Sequence, residues 1–333
     1  MFMRFYRSIM AGLAIMAMFT SGAIAGGAIY TGSQGGAYFS TFCPPLPSVM
    51  DKKFFSGYRC QTSGGTPDNI KQVVAHPSDV GFVQLDVLAL QMKEQADLAK
   101  QISIVRSDIA CEGLWMVTKN TALKSYGDVL GFARRIPFVL PGQTSGSAAS
   151  FKYLQSIDPD GLGRATNIKY VNDTQTLINT VANAQDNQVG FFVQFADPEN
   201  ANIRLMQDKG LSVIPVVSRE ITKAKVGEQD LYQVQSFSLK SSGLFTSSDD
   251  RVTACTPVAV ITGNPENQKT ANEKDNQKDL IEAISTVPAS SLLPSEPRIS
   301  KILSGVRRIS GSALNEMLSA ADKAKQAAQD AIK

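Results

Sequence analysis

Two periodicities share this chain. Short runs, AIYT at 28–31, YRCQT at 58–62 and VGFVQ at 80–84, read as strands. Before the third run, Ile70, Val73 and Val74 recur at helical spacing, which predicts a helix with Thr66 as its N-cap and Pro67 in its first turn. Between the first two runs, TGSQGGAYFSTF starts a helix that CPPLPS interrupts. Strand, glycine-rich loop, helix and strand make an α/β pattern. Ile102–Val105 and Leu114–Thr118 read as two apolar segments flanking the polar SDIACEG.

The pattern then restarts. IPFVLPGQTSGSAASFKYLQ again gives strand, small-residue loop and helix, NIKYV a strand, and DTQTLINTVANAQDN a helix with Leu177, Ile178 and Val181 inward. VGFFVQF and LSVIPVV are further strands. The stretch TPDNIKQVVAHPSDVGFVQLD resembles DTQTLINTVANAQDNQVGFFVQFAD: a capped amphipathic helix, a polar turn, then VGF, a VQ pair and an acidic residue. Two lobes on one plan would leave a ligand cleft between the loops at their strand ends. Residues 216–254 are polar and irregular, and VTACTPVAVITG reads as a strand returning the chain to the first lobe. NPENQKTANEKDNQK is a solvated turn and helix start, and the alanine-rich tail from Ser312 predicts an outer helix packed on the scaffold.

The first residues bear on compartment. Arg4 and Arg7 precede the apolar run Ile9–Phe19, which is short for a bilayer, and Ala23-Ile24-Ala25 is a small-residue cleavage signal. Residues 1–25 are therefore expected to be a signal peptide, with a mature N-terminus at Gly26 and a periplasmic location. Those two arginines are the only charged residues before Gly26, so cleavage lowers the formal charge from +3 to +1. Near balance speaks against a nucleic-acid partner. His76 is the single histidine, and the cysteine and histidine spacings offer no metal motif. No G-x-S-x-G occurs, and GSQGG lacks the spacing of a dinucleotide-binding loop, so neither an enzyme nor a cofactor is expected. Cys43, Cys60, Cys111 and Cys255 form an even set in an exported chain, which predicts disulfides with three pairings open.

TGSQGGAYF, SGGTPDNI, VGFVQLDV and PGQTSGSAAS, in that order, resemble the TAXI-type solute-binding receptors of tripartite ATP-independent periplasmic (TRAP) transporters over roughly 28–262. The resemblance implies an α/β, two-lobed type II periplasmic-binding-protein fold with a hinge, and a solute passed to membrane transporter subunits. It implies lobe 1 from 26–112 plus 256–333 with the C-terminal helices, and lobe 2 from 113–255. The crossings fall near Ile109–Gly113 and Arg251–Thr256, and a monomer is expected. With two lobes in view, the preferred pairing is Cys43–Cys60 and Cys111–Cys255, the latter tying the strand that leaves lobe 1 to the one that returns. A component of an ABC-type or sensory system, or an exported structural protein, is the alternative.

The candidate binding residues sit at the predicted strand ends. Gly35 and Gly36 leave N–H groups uncovered, Ser33 and Gln34 add directed hydrogen bonds, and Tyr38 offers a ring with a polar tip. Thr66, Asn69, Gln84 and Asp86 complete the first lobe. Gln143, Thr144, Ser145, Ser147, Asp173 and Gln194 form the second-lobe set. Thr66, Asp86 and Asp173 also suit helix capping. The loops contain no Arg or Lys, yet contain or adjoin Asp68, Asp86 and Asp173. A small zwitterion, amino-acid-like, is the favoured solute: carboxylate at a helix start, ammonium at an aspartate, remainder near Tyr38. A simple organic acid is its rival.

Overall fold

The computed structural model describes residues 26–185, 187–239, 250–294, 302–303 and 306–331. The expected signal peptide, 1–25, lies outside the described residues, as does 240–249 of the polar segment.

The strands are β1 (Ala28–Tyr30), β2 (Arg59–Gln61), β3 (Val80–Gln84), β4 (Ile102–Thr118), β5 (Phe138–Leu140), β6 (Ile168–Tyr170) and β7 (Val189–Phe195). After them come β8 (Ser212–Ile214), β9 (Lys225–Val226), β10 (Gln229–Asp230), β11 (Gln233–Ser238), β12 (Asp250–Gly263) and β13 (Arg307–Arg308). The helices are α1 (Pro45–Asp51), α2 (Thr66–Ala75), α3 (Leu85–Glu94), α4 (Leu98–Gln101), α5 (Tyr126–Phe132) and α6 (Gly146–Ile157). They continue with α7 (Thr174–Asn183), α8 (Ala201–Asp208), α9 (Arg219–Lys223), α10 (Ala271–Ser285) and α11 (Gly311–Asp330).

One continuous sheet holds two lobes that share a plan. In the first, the order is β2-β1-β3-β12-β4; β1 is parallel to β2 and β3, and β12 is antiparallel to β3 and β4. In the second, the order is β6-β5-β7-β4-β8, with β5 parallel to β6 and β7, and β4 antiparallel to β7 and β8. The sequence repeat therefore maps α2–β3 onto α7–β7, the same unit in each lobe.

Helices cover both faces, as parallel strands require. One apolar cluster packs Leu46, Met50, Leu280 and Ile284 of α1 and α10 under the first lobe. Another packs Leu177, Val181 and Ile203 of α7 and α8 against Trp115 and Phe192 of the second. A third runs unbroken through both lobes, from Tyr30 and Leu88 to Phe151 and Leu154.

Three expectations change. Ile102–Val105 and Leu114–Thr118 are the two ends of one strand, β4, which runs from lobe to lobe; the polar middle lies at the waist, where Asp108 faces solvent and pairs with Arg106. The polar 216–254 segment is partly structural: Leu231 and Tyr232 are buried in the shared core. The C-terminal residues do not all belong to lobe 1. Although α10 packs there, β13 pairs with β11 and α11 packs on α5 of lobe 2. Gly127 and Gly131 make that approach possible. A Cβ on Gly127 would lie 1.9 Å from the Ala321 carbonyl oxygen, and one on Gly131 would lie 2.1 Å from the Ala328 Cβ. Arg219–Asp322 at 2.8 Å and Lys325–Asp158 at 3.1 Å flank the seam. The chain thus crosses between lobes a third time, after α10. Both preferred disulfides form, Cys43–Cys60 and Cys111–Cys255. No helix among the described residues is long and apolar enough to cross a membrane.

Candidate functional site

A cleft of about 450 Å³ opens between the lobes. From lobe 1 come the loop after β1, the start of α2 and the end of β3; from lobe 2 come the starts of α6, α7 and α8. These four helices have at least eight residues each, and their first turns bring uncommitted N–H groups and partial positive charge to one space. Gly65, at φ 93°, precedes α2 in a backbone conformation that suits glycine.

Of the expected residues, Ser33, Gly35, Gly36, Tyr38, Thr66 and Gln84 line the cleft from lobe 1, and Ser147 and Gln194 from lobe 2. Gln34 is exposed and does not line it. Thr66 is the first helical residue rather than the cap; its Oγ1 accepts from the Gln84 N–H at 3.1 Å and ties α2 to β3. The expected helix after the first loop is a five-residue π-helical turn, Tyr38–Phe42, followed by α1 with Pro45 at its first position.

Other candidates do structural work. Asn69 donates to the Thr31 and Phe82 carbonyls at 3.1 and 2.7 Å and accepts from Ser63. Asp86 is fully buried, accepting from the Tyr232 hydroxyl at 2.9 Å and the Val87 N–H at 2.8 Å. Burial pushes its carboxyl up. Asp173 caps α7 through the Thr176 N–H at 2.7 Å, and Asp68 accepts from the Gly64 N–H at 2.9 Å. Gln143, Thr144 and Ser145 line a separate groove between α3 and α6, because the Ser145 cap turns the chain before Gly146 away from the cleft. The expected aspartate partner for an ammonium is thus absent from the cleft lining.

The acid that does line the cleft is Glu112, in the middle of β4 and opposite Thr256 of β12. It accepts the Tyr38 hydroxyl at 2.7 Å. It is the only Asp, Glu, Lys, Arg or His among the lining residues. Burial raises its carboxyl to about 7, the nearby Asp86 adds repulsion, and Tyr38, the Gln84 amide and the Phe195 N–H oppose the rise. Sequence reading missed it because SDIACEG looked like a connector. Gln84 is 5% exposed, and its Oε1 has no hydrogen-bond partner. That oxygen reaches across to lobe 2: a Cβ on Gly146 would lie 2.1 Å from it. A buried acceptor left without a donor costs about 1–3 kcal/mol.

Asn200 and Asn202 were also missed, although an asparagine before ANIRLM is a cap signal. Asn200 caps α8 through the Asn202 N–H at 2.8 Å, and the Asn202 amide donates to Gln194 Oε1 at 2.7 Å.

No protein-family model and no curated protein matches the chain. Solved structures match it along most of its length. An R. palustris protein with adipate is 11% identical, over 92% of this chain and 97% of that one, at a TM-score of 0.47. A periplasmic transporter is 12% identical, over 92% and 96%, at 0.45. The amino acid ABC transporter substrate-binding protein AbpA from Streptococcus pneumoniae, bound to L-arginine, is 11% identical, over 90% and 96%, at 0.40. The two-lobed α/β architecture stands on the strand order and helix layers themselves.

Proposed function

We propose that this chain is a periplasmic solute-binding receptor with a type II periplasmic-binding-protein fold. It captures a small amino-acid-like solute between its lobes and delivers it to a TRAP-type membrane transporter. The observation that carries the reading is the meeting, in one inter-lobe cleft, of four helix starts with one buried carboxyl. Helix starts favour a carboxylate, and the carboxyl favours an ammonium. The cleft volume suits a small molecule, within the usual ~300–1,000 Å³.

In this reading the lobes are 26–112 with 256–294, and 113–255 with the β13–α11 tail. The hinge is the paired stretch of β4 and β12 around Cys111–Cys255. Ser33, Gly35, Gly36, Tyr38, Thr66, Gln84, Ser147 and Gln194 contact the solute, joined by Glu112, Asn200 and Asn202. The receptor works as a monomer, without a cofactor. Calorimetric titration of ligand-free protein at pH 8 with amino acids and their deaminated acids tests it. The expected result is one-to-one binding of an amino acid without turnover, weakened by at least ~2 kcal/mol when the ammonium is removed. Equal affinity for both members of a pair would overturn the zwitterion assignment.

A further inference from the structure

The inner wall of the cleft presents acceptors and no cation. Glu112 is 7% exposed and Gln84 5%, and Gln84 Oε1 has no donor. Each element packed against Glu112 brings a polar or acidic group. The turn after β1 brings the Tyr38 hydroxyl, β3 the Gln84 amide, β7 the Phe195 N–H, and α3 the Asp86 carboxyl, which repels. Thr256 faces it from β12. Nothing among the lining residues supplies positive charge to the carboxyl or a proton to the free Gln84 oxygen. A solute ammonium supplies both.

We propose that Glu112 and Gln84 Oε1 are the specificity-determining pair of this cleft, and that they accept a solute ammonium with release of the Glu112 proton, so that solute capture is proton-linked. The inference rests on the receptor reading above. The balance is simple: a neutral carboxyl and an ammonium become a carboxylate–ammonium pair, and one proton leaves to the buffer. Because burial holds the empty site's carboxyl near pH 7, that proton is present below neutrality and largely gone above pH 8. Affinity for an amino acid therefore falls as pH drops below 7, approaching tenfold per unit. The deaminated acid, which brings no ammonium, binds better as the carboxyl becomes neutral.

The test uses the full mature chain. The twenty common L-amino acids are screened by thermal shift. The strongest binder is titrated calorimetrically at pH 5.5, 6.5 and 8 in two buffers of different ionisation enthalpy, beside its deaminated acid. Expected are close to one proton released at pH 5.5, almost none at pH 8, and opposite pH trends for the two compounds. Glu112→Gln should abolish the release and flatten the profile, while Gln84→Leu should weaken amino-acid binding and keep the release. An amino acid that binds wild type with no proton release overturns the pair and leaves the receptor reading standing, even where the variants do not fold. A Glu112→Gln protein with the wild-type profile does the same. If none of the twenty binds, the amino-acid reading falls and this inference with it.

Discussion

Tyr38 donates its hydroxyl to Glu112 at 2.7 Å, joining the glycine loop after β1 to the strand that leaves the first lobe. Tyr38→Phe removes the donor and leaves the carboxyl buried. A hydrogen bond to a charged group contributes about 1.5–3 kcal/mol. The loss of stability should approach that value at pH 8, where Glu112 is ionised, and be smaller at pH 5. Urea unfolding at the two pH values checks this; equal losses would mean that the bond is indifferent to charge.

Glu112 should also shape stability against pH. Its carboxyl in the folded chain is raised from 4.5 to about 7, chiefly by burial. The contribution is therefore fully present below about pH 4.5 and is lost as pH rises through 7, amounting to about 3 kcal/mol at most. Glu112→Gln should remove most of that slope. Asp86, shifted in the same direction, leaves a remainder. A variant with the wild-type slope between pH 5 and 8 would place the titration elsewhere.

The two disulfides close loops of unlike length, with separations of 144 and 17 residues. On loop entropy, replacing Cys111 and Cys255 by alanine should cost ~5 kcal/mol, and replacing Cys43 and Cys60 ~3 kcal/mol. Chemical denaturation of the two double variants gives the order. Non-reducing peptide mapping should find both pairs.

Gly127→Val should pry α11 from α5, because its first side-chain atom would fall 1.9 Å from the Ala321 carbonyl oxygen. The expected cost is about 1–3 kcal/mol, as for other overpacked sites. Limited trypsin digestion should then cut within α11 before any other helix. An unchanged cleavage order would show that the seam can open at no cost.

If the lobes close about β4 and β12, a solute shown to bind by calorimetry lowers the radius of gyration in solution scattering. An unchanged profile would rule out hinge closure for this chain.

Much of the scaffold was legible because repeated buried strands leave a clear trace. VGFVQ and VGFFVQF became β3 and β7 with the expected bounds, and their helices became α2 and α7. The site was less legible. Gln84 and Gln194 stood out at strand ends, but the loop before α6 turned on its Ser145 cap and carried three expected residues to another groove. The aspartates drew attention as charges and are used as caps or buried acceptors. Glu112 was hidden because a strand crossing between lobes has no continuous apolar face to announce it. The seat of α11 depends on Gly127 and Gly131, four apart on α5, meeting small residues on a helix distant in sequence; that spacing was readable, its partner was not.

The next-to-last strand of each lobe arrives from the other. The strand between β3 and β4 is β12, coming back from lobe 2, and the strand between β7 and β8 is the far half of β4, coming out of lobe 1. Lobe 1 can therefore not be cut from the gene as a contiguous module, and lobe 2 cut as one would lack its β13–α11 tail. A fragment ending before β12 would expose the ladder edge of β3, and its polypeptide would meet the ribosome exit long before its own sheet could be completed. The two halves are interleaved in assembly, and maturation of the first must wait for translation of the second.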